Sequence, residues 1–383
     1  MSLFEKRLLR PEAAGLGAKL WRVSWLYVLL LCLLAGVGYL AQYTASGGSV
    51  LPYAGPHVLR FGFALLLMLG VAMIDIRFIA RMAWLGYAMG LVLLAAVLKF
   101  GNVGNGARRW LALGSFQWQP SEMMKIVLVL ALAAWFRRAS WERMGNPAFL
   151  VPPLLAVLLP VALILKEPNL GTAVIVAAIG GVVFLGAGLR WWKVALLAGT
   201  LAVAAPIVYQ HLHAYQKSRI MIFLHPSRDP LGAGYNIIQS KIALGSGGVW
   251  GKGFLQGTQG QLNFLPEKQT DFIFTILAEQ FGLAGSYAVL GLLMLITFAG
   301  LVVALRCRHQ FGRLVALGLT MNFFCYVFVN LAMVMGLIPV GGVPLPLVSH
   351  GGSAMLMVMI GCGILMSVHV HRDVEFDDAA EAA

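Results

Sequence analysis

Asp271 stands where a long polar stretch gives way to apolar sequence, in Phe264-Leu265-Pro266-Glu267-Lys268-Gln269-Thr270-Asp271-Phe272-Ile273-Phe274. A carboxylate at such a boundary is costly to desolvate and is a functional candidate by default. Two compatible roles fit it. As an N-cap it would satisfy the first N–H groups of a helix opening at Phe272. As a general base it would face a cavity, where partial burial raises a carboxylate's pKa towards the working range. Glu122 and Lys125 are a second candidate. They follow Pro120, a helix-starting residue, and lie three apart, so they share a face and can pair. Lys125 falls about one turn into an apolar span, where an ammonium ion is costly. Dipole compensation by a simple ion pair and a buried pair at a site both remain open. The third group is cationic. Arg108, Arg109 and Trp110 read as an interfacial tryptophan with snorkelling arginines or as a phosphate site, since Arg presents a planar fork of donors. With Lys125, Arg219, Lys252 and Lys268 they could surround a pyrophosphate.

The elements that position these residues are set by composition. The 383-residue chain is 60% hydrophobic and 11% charged, against about 25% charged in soluble domains. Its apolar runs are long and lack β-barrel alternation, so the fold class is an all-α polytopic membrane protein. Ten spans are expected: roughly 23–44, 58–75, 79–99, 121–137, 148–166, 170–188, 191–210, 283–305, 312–335 and 351–370. The net charge of +13 does not point to nucleic acid, because the basic residues are scattered over short loops. Lys6, Arg7, Arg10, Lys19 and Arg22, Arg77 and Arg81, Arg137, Arg138 and Arg143, Arg190 and Lys193, and Arg306, Arg308, Arg313 and Arg372 share one face. The positive-inside rule makes that face cytoplasmic, with both termini on it. No cleavable signal is read, because the basic stretch Lys6 to Arg22 precedes a run long enough to span. The expected organisation is a basic N-terminus (1–22), one membrane domain (23–370) and an acidic tail (371–383), read as disordered. The four cysteines suggest neither disulfides nor a metal site.

Outside, one loop dominates: 211–282, between spans 7 and 8. Nine glycines fall within 232–260. They read either as a flexible linker or as backbone that approaches something closely and offers N–H groups to an anion. Residues 271–305 are too long for a single span, so a short boundary helix near Asp271 should precede the eighth. The strings Glu167 to Thr172 and Pro344 to Ser353 read as turns entering spans, His350 has no partner in sequence, and Asn330 reads as inter-helix glue.

Several strings together resemble the SEDS family (shape, elongation, division and sporulation) over residues 25–370. They are Gly106-Ala107-Arg108-Arg109-Trp110, Gln119-Pro120-Ser121-Glu122 with Lys125, Pro168-Asn169-Leu170-Gly171-Thr172, Gly245-Ser246-Gly247-Gly248 with Gly251-Lys252-Gly253, Thr270-Asp271-Phe272-Ile273-Phe274, and Ser349 to Ser353. Ile338-Pro339-Val340 with Gly342-Val343-Pro344-Leu345-Pro346 resembles the elongation branch more than the division branch. The resemblance implies a ten-helix fold and a peptidoglycan glycosyltransferase that polymerises lipid II. Asp271 matches the family's essential carboxylate, Glu122 and Lys125 its paired residues, and Arg109-Trp110 its Arg-Trp. A class B penicillin-binding protein is the implied partner, with lipid II, undecaprenyl-pyrophosphate-linked glycan and membrane lipids as ligands. The chain departs from the pattern at Asn169, usually Asp, at Gln269, commonly His, and at His350, commonly Tyr. A divalent cation (Mg or Mn) could contribute, although no ligand motif demands one. A lipid II flippase and a non-catalytic scaffold for a transpeptidase are the alternatives.

Overall fold

The computed structural model describes residues 15–104, 107–113, 116–137, 139, 141–193, 195, 196, 199, 210, 214–225, 233–258, 268–374 and 376. A bilayer offers no water to the backbone, so apolar sequence closes its hydrogen bonds within helices. These are α1 (Leu16–Trp21), α2 (Trp25–Ala45), α3 (Ala54–Ala72), α4 (Ile76–Phe100), α5 (Pro120–Phe136), α6 (Trp141–Gly145), α7 (Pro147–Lys166), α8 (Leu170–Gly186), α9 (Ala214–Leu224), α10 (Ala233–Ser246), α11 (Ile273–Arg306), α12 (Gln310–Val334) and α13 (Gly352–Val370). Among the described residues, α2, α3, α4, α7, α11, α12 and α13 are long and apolar enough to cross a membrane. The 17-residue α8 is apolar but shorter, and the 17-residue α5 carries Glu122 and Lys125. The expected span 191–210 lies mostly outside the described residues.

The all-helical reading gains one small sheet. Between α4 and α5, β1 (Asn102–Gly104), β2 (Ala107–Leu113) and β3 (Phe116–Trp118) form an antiparallel meander in the order β1-β2-β3. Val103 pairs with Arg108, and Ala112 with Gln117.

Helices α5, α12 and α13 occupy the centre, with Met124, Leu128, Phe136, Leu314 and Met359 fully buried. Around them α3, α4 and α7 turn Leu59, Phe63, Leu66, Leu85, Val92 and Leu155 outward, as lipid-facing helices do. Pro152, Pro153 and Pro160 lie inside α7. Pro160 has no N–H, so the Ala156 carbonyl loses its helical donor. The Tyr87 hydroxyl of α4 donates to that carbonyl instead, at 2.9 Å.

Helix α11 breaks at Gly282, where φ is 64° and ψ is −157°. The glycine-rich turn 247–257 is docked against this break, backbone to backbone. The Lys252 and Gly253 N–H groups donate to the Glu279 and Gln280 carbonyls (3.0 and 3.1 Å), and Leu283 and Ala284 donate back to Gly248 and Val249 (2.9 and 3.0 Å). A methyl group on Gly251 would come within 2.0 Å of the Gln280 carbonyl oxygen. The close approach expected of these glycines is therefore made to α11, and these amides are taken by protein rather than offered to an anion.

The tail departs from the disordered reading. His371 and Val374 are buried, and the Arg308 N–H donates to the Arg372 carbonyl at 3.3 Å. The Phe376 ring sits against His309 and Phe311, with centroids 5.0 and 5.7 Å away. Val374 and Phe376 interrupt the acidic run, and their apolar surface is what holds the chain down.

Candidate active site

The turn that delivers Asp271 into α11 is held by its backbone. The Gln269 carbonyl accepts from the Gln42 side chain of α2 (3.0 Å) and from the His350 N–H (2.8 Å). The Thr270 carbonyl accepts from the Ser349 hydroxyl (2.6 Å), and the Asp271 carbonyl from Asn330 Nδ2 of α12 (2.9 Å). The same donors reach the 336–351 segment. Gln42 also donates to Val348 (2.8 Å), Asn330 to Val343 (2.8 Å), and the Leu345 N–H to Ser349 Oγ (2.8 Å). Three consecutive carbonyls are thus fixed while the Asp271 side chain stays partly exposed. A methyl group on Gly342 would lie 3.7 Å from Asp271 Oδ2, so that flank is left clear by a glycine. The N-cap of α11 is Phe272, with no side-chain cap bond. This corrects the capping role read for Asp271: the helix opens one residue later, and the carboxylate lies outside it.

Behind this turn lies the Glu122–Lys125 pair. Lys125 Nζ is 2.8 Å from Glu122 Oε1, and both side chains are buried. The sequence reading missed the third member, Tyr326. Its hydroxyl donates to Glu122 Oε2 and accepts from Lys125 Nζ, whose ammonium also lies 3.9 Å from the Tyr326 ring centroid. Tyr326 and Asn330 are one turn apart on the same face of α12. One helix therefore braces both the pair and the Asp271 turn. The compact pair is the buried alternative, and Lys125 is committed to it rather than free to meet phosphate.

Lys252 is likewise committed. Its Nζ lies 2.7 Å from Glu279 Oε1 and 3.0 Å from Thr258 Oγ1. Glu279 is fully buried, so this pair straps the glycine-rich turn to α11, and the pyrophosphate role read for Lys252 gives way to a structural one. Arg109 points at the end of α7: Nε is 3.4 Å from the Glu167 carbonyl and Nη2 donates to the Pro168 carbonyl. It stabilises carbonyls that a helix terminus leaves unmatched. Trp110, its neighbour in β2, is partly buried. Beside them the Glu167 carboxyl is buried, and among the described residues neither of its oxygens has a hydrogen-bond partner. Desolvation pushes its pKa up to about 8, opposed by Arg109. Asn169 Oδ1 caps α8, accepting from the Thr172 N–H at 3.4 Å. Lys268 is partly buried three residues from Asp271, and desolvation lowers its pKa. The side chains of Arg108 and Arg219 lie outside the described residues.

Gln42 was also missed, although a glutamine inside an apolar span is a readable signal. Arg60 was missed too: exposed on α3, its Nη1 is 3.1 Å from His350 Nε2. Among the described residues, no cluster of three or more His, Cys, Asp or Glu could hold a metal ion.

Residues 21–374 match the family described as cell cycle protein, FtsW/RodA/SpoVE. Over 351 residues the chain is 44% identical to the peptidoglycan glycosyltransferase MrdB of Escherichia coli K12, covering 90% of this chain and 93% of that protein. A solved structure described as structural coordination of polymerization and crosslinking by a peptidoglycan synthase complex has a TM-score of 0.81 at 31% identity. It covers 92% of this chain and 99% of that one. The crystal structure of the Thermus thermophilus rod shape determining protein RodA has a TM-score of 0.70 at 29% identity, covering 92% and 98%.

Proposed function

This chain belongs to the FtsW/RodA/SpoVE family, and from that membership we propose that it is a peptidoglycan glycosyltransferase of the bacterial cytoplasmic membrane, polymerising lipid II for cell elongation. The observation that carries the reading is the anchored turn: a partly exposed carboxylate whose backbone is held at three successive carbonyls. A base must be fixed in place yet open to the proton it takes.

The donor is a glycan chain α-linked to undecaprenyl pyrophosphate. The acceptor is lipid II, through the 4-hydroxyl of its terminal GlcNAc. Asp271 takes the hydroxyl proton as the oxygen attacks the anomeric carbon. The bond from that carbon to the pyrophosphate oxygen breaks, and inversion gives the β-1,4 link. A single displacement needs a base but no covalent intermediate. Lys268 and the arginines 108 and 219 are the cations we assign to the leaving pyrophosphate, whose neutralisation removes any need for an acid. Glu122, Lys125 and Tyr326 are positioning residues, acting through α12. The site faces outward, both termini are cytoplasmic, and a class B penicillin-binding protein is the partner that crosslinks the product.

The test is polymerisation of purified lipid II by the detergent-solubilised protein with its partner, wild type against Asp271→Asn. Asparagine keeps the shape and removes the base, so glycan synthesis should fall roughly 10²–10⁴-fold at unchanged thermal stability. Equal polymer from both proteins would sink Asp271 as base. No polymer from either, with lipid II transport intact in vesicles, would favour a flippase. Wall synthesis undisturbed in cells carrying the variant would favour a scaffold.

A further inference from the structure

Arg60 has no place in the chemistry described so far. It lies six residues into α3, about 9 Å along the helix from its start. A guanidinium at that depth is costly unless it meets an anion. Among the described residues no carboxylate pairs with it. Among the same residues its hydrogen bond is to a neutral acceptor, His350 Nε2, at 3.1 Å. His350 is held in turn: its ring packs edge-on against Tyr53, with centroids 5.3 Å apart, and its N–H donates to the Gln269 carbonyl. Arg60 is therefore joined through one residue to the turn that ends in Asp271. The start of α13 adds to the positive field. Its N-cap, Gly351, makes no side-chain cap bond, and a methyl group on Gly352 would lie 3.8 Å from Arg60 Nε.

The surroundings define the ligand further. Val58, Leu59, Phe63 and Leu66 on the same helix are exposed and face lipid. A soluble phosphate would gain nothing from that strip, whereas a phosphate carried on a long apolar chain would lay its chain along it.

We propose that Arg60, oriented by His350, is the subsite for the pyrophosphate of the isoprenoid-linked substrate, on the α3 side of Asp271. The inference rests on the glycosyltransferase reading for the identity of the lipid. It differs from the cation set assigned above in using a guanidinium within a span rather than cations of the outer loops. Phosphate and Arg form charge-assisted, bidentate hydrogen bonds, and His350 pre-aims the fork without neutralising it.

The test uses Asp271→Asn protein in detergent, which binds substrate without consuming it. Lipid II affinity is compared with that of the double variant carrying Arg60→Gln. A loss on the order of tenfold is expected, with a smaller loss for Arg60→Lys, which keeps the charge but not the fork. Undecaprenyl pyrophosphate should displace lipid II from the Asp271→Asn protein, and more weakly from the double variant. Undecaprenol, which lacks phosphate, should compete equally in both. Unchanged lipid II affinity in a double variant of normal melting temperature would overturn the proposal. So would an equal loss of undecaprenol binding, which would make Arg60 structural. Loss of bound phosphatidylglycerol with lipid II binding intact would assign the site to an ordinary phospholipid and overturn it as well. If Arg60→Gln does not fold, Arg60→Lys carries the same comparison. Turnover by Asp271→Asn itself would refute the base assignment while leaving the affinity comparison between the proteins readable.

Discussion

Lys125 and Glu122 neutralise each other away from water, so the effect of a substitution depends on what it leaves behind. Lys125→Met strands a buried carboxylate and should destabilise by about 3–5 kcal/mol. Lys125→Met with Glu122→Gln removes both charges and should recover a large part of that loss without recovering activity. Thermal unfolding in detergent, as a double-mutant cycle, measures the difference. Glu167 gives a pH dependence of opposite sense to a salt-bridged carboxylate. Its pKa is raised from 4.5 to about 8 by desolvation. At pH below 4.5 the carboxyl is protonated folded and unfolded, and its stability contribution is complete. Between there and pH 8 the unfolded chain releases the proton that the folded chain keeps, so stability falls as pH rises. Glu167→Gln should melt several degrees above the parent at pH 8–9, and the gap should close towards pH 5. A gap that is constant with pH would mean that Glu167 is already ionised in the fold. Asp271, Glu122 and Lys125 were legible because charge in apolar sequence is conspicuous. Their partners were not. Tyr326 reaches Glu122 across 204 positions and Gln42 reaches Gln269 across 227, and no local spacing marks such pairs.

At the scale of elements, the apolar runs fixed the helices well, and the break in α11 was legible from its excess length and from Gly282. What the glycine-rich turn does there was not. The same glycines suit a linker, an anion nest or a backbone bracket, and the choice is made by what lies opposite. Two substitutions separate conformation from space. Gly248 has φ +57° and nothing within 4 Å of an added methyl group, so Gly248→Ala should cost about 1 kcal/mol, the left-handed penalty alone. Gly251 has φ +82° and the Gln280 carbonyl 2.0 Å away. Gly251→Ala should therefore destabilise well beyond that, expose 247–258 to protease and slow polymerisation. Similar melting temperatures and digestion rates for the two would mean that the bracket is not packed as described.

For the whole molecule, the positive-inside rule predicts an orientation from the distribution of Lys and Arg, with both termini cytoplasmic. The Phe376 ring ties the tail to the C-terminal end of α5 and the start of α12, on the face rich in Arg137, Arg308 and Arg313. A fluorescent protein fused after the tail should fold in the cytoplasm and fluoresce. A periplasm-active phosphatase should be active only when fused in the outer segments, such as 336–350. Activity of the phosphatase at the tail would invert the proposed orientation and overturn the proposed outward-facing site. Charge alone makes that tail read as disordered. Two apolar side chains were enough to reverse the outcome for its first residues.

The bond between Tyr87 and the Ala156 carbonyl bears on how the molecule is made. Helix α7 enters the membrane with three prolines in its interior and an Ala156 carbonyl that its own backbone cannot satisfy at Pro160. That carbonyl is matched only on docking against α4, which is synthesised earlier. The order of translation thus supplies the receiving surface before the helix that needs it. Losing the Tyr87 hydroxyl would act during biogenesis, lowering the yield of inserted protein more than the turnover of molecules already assembled.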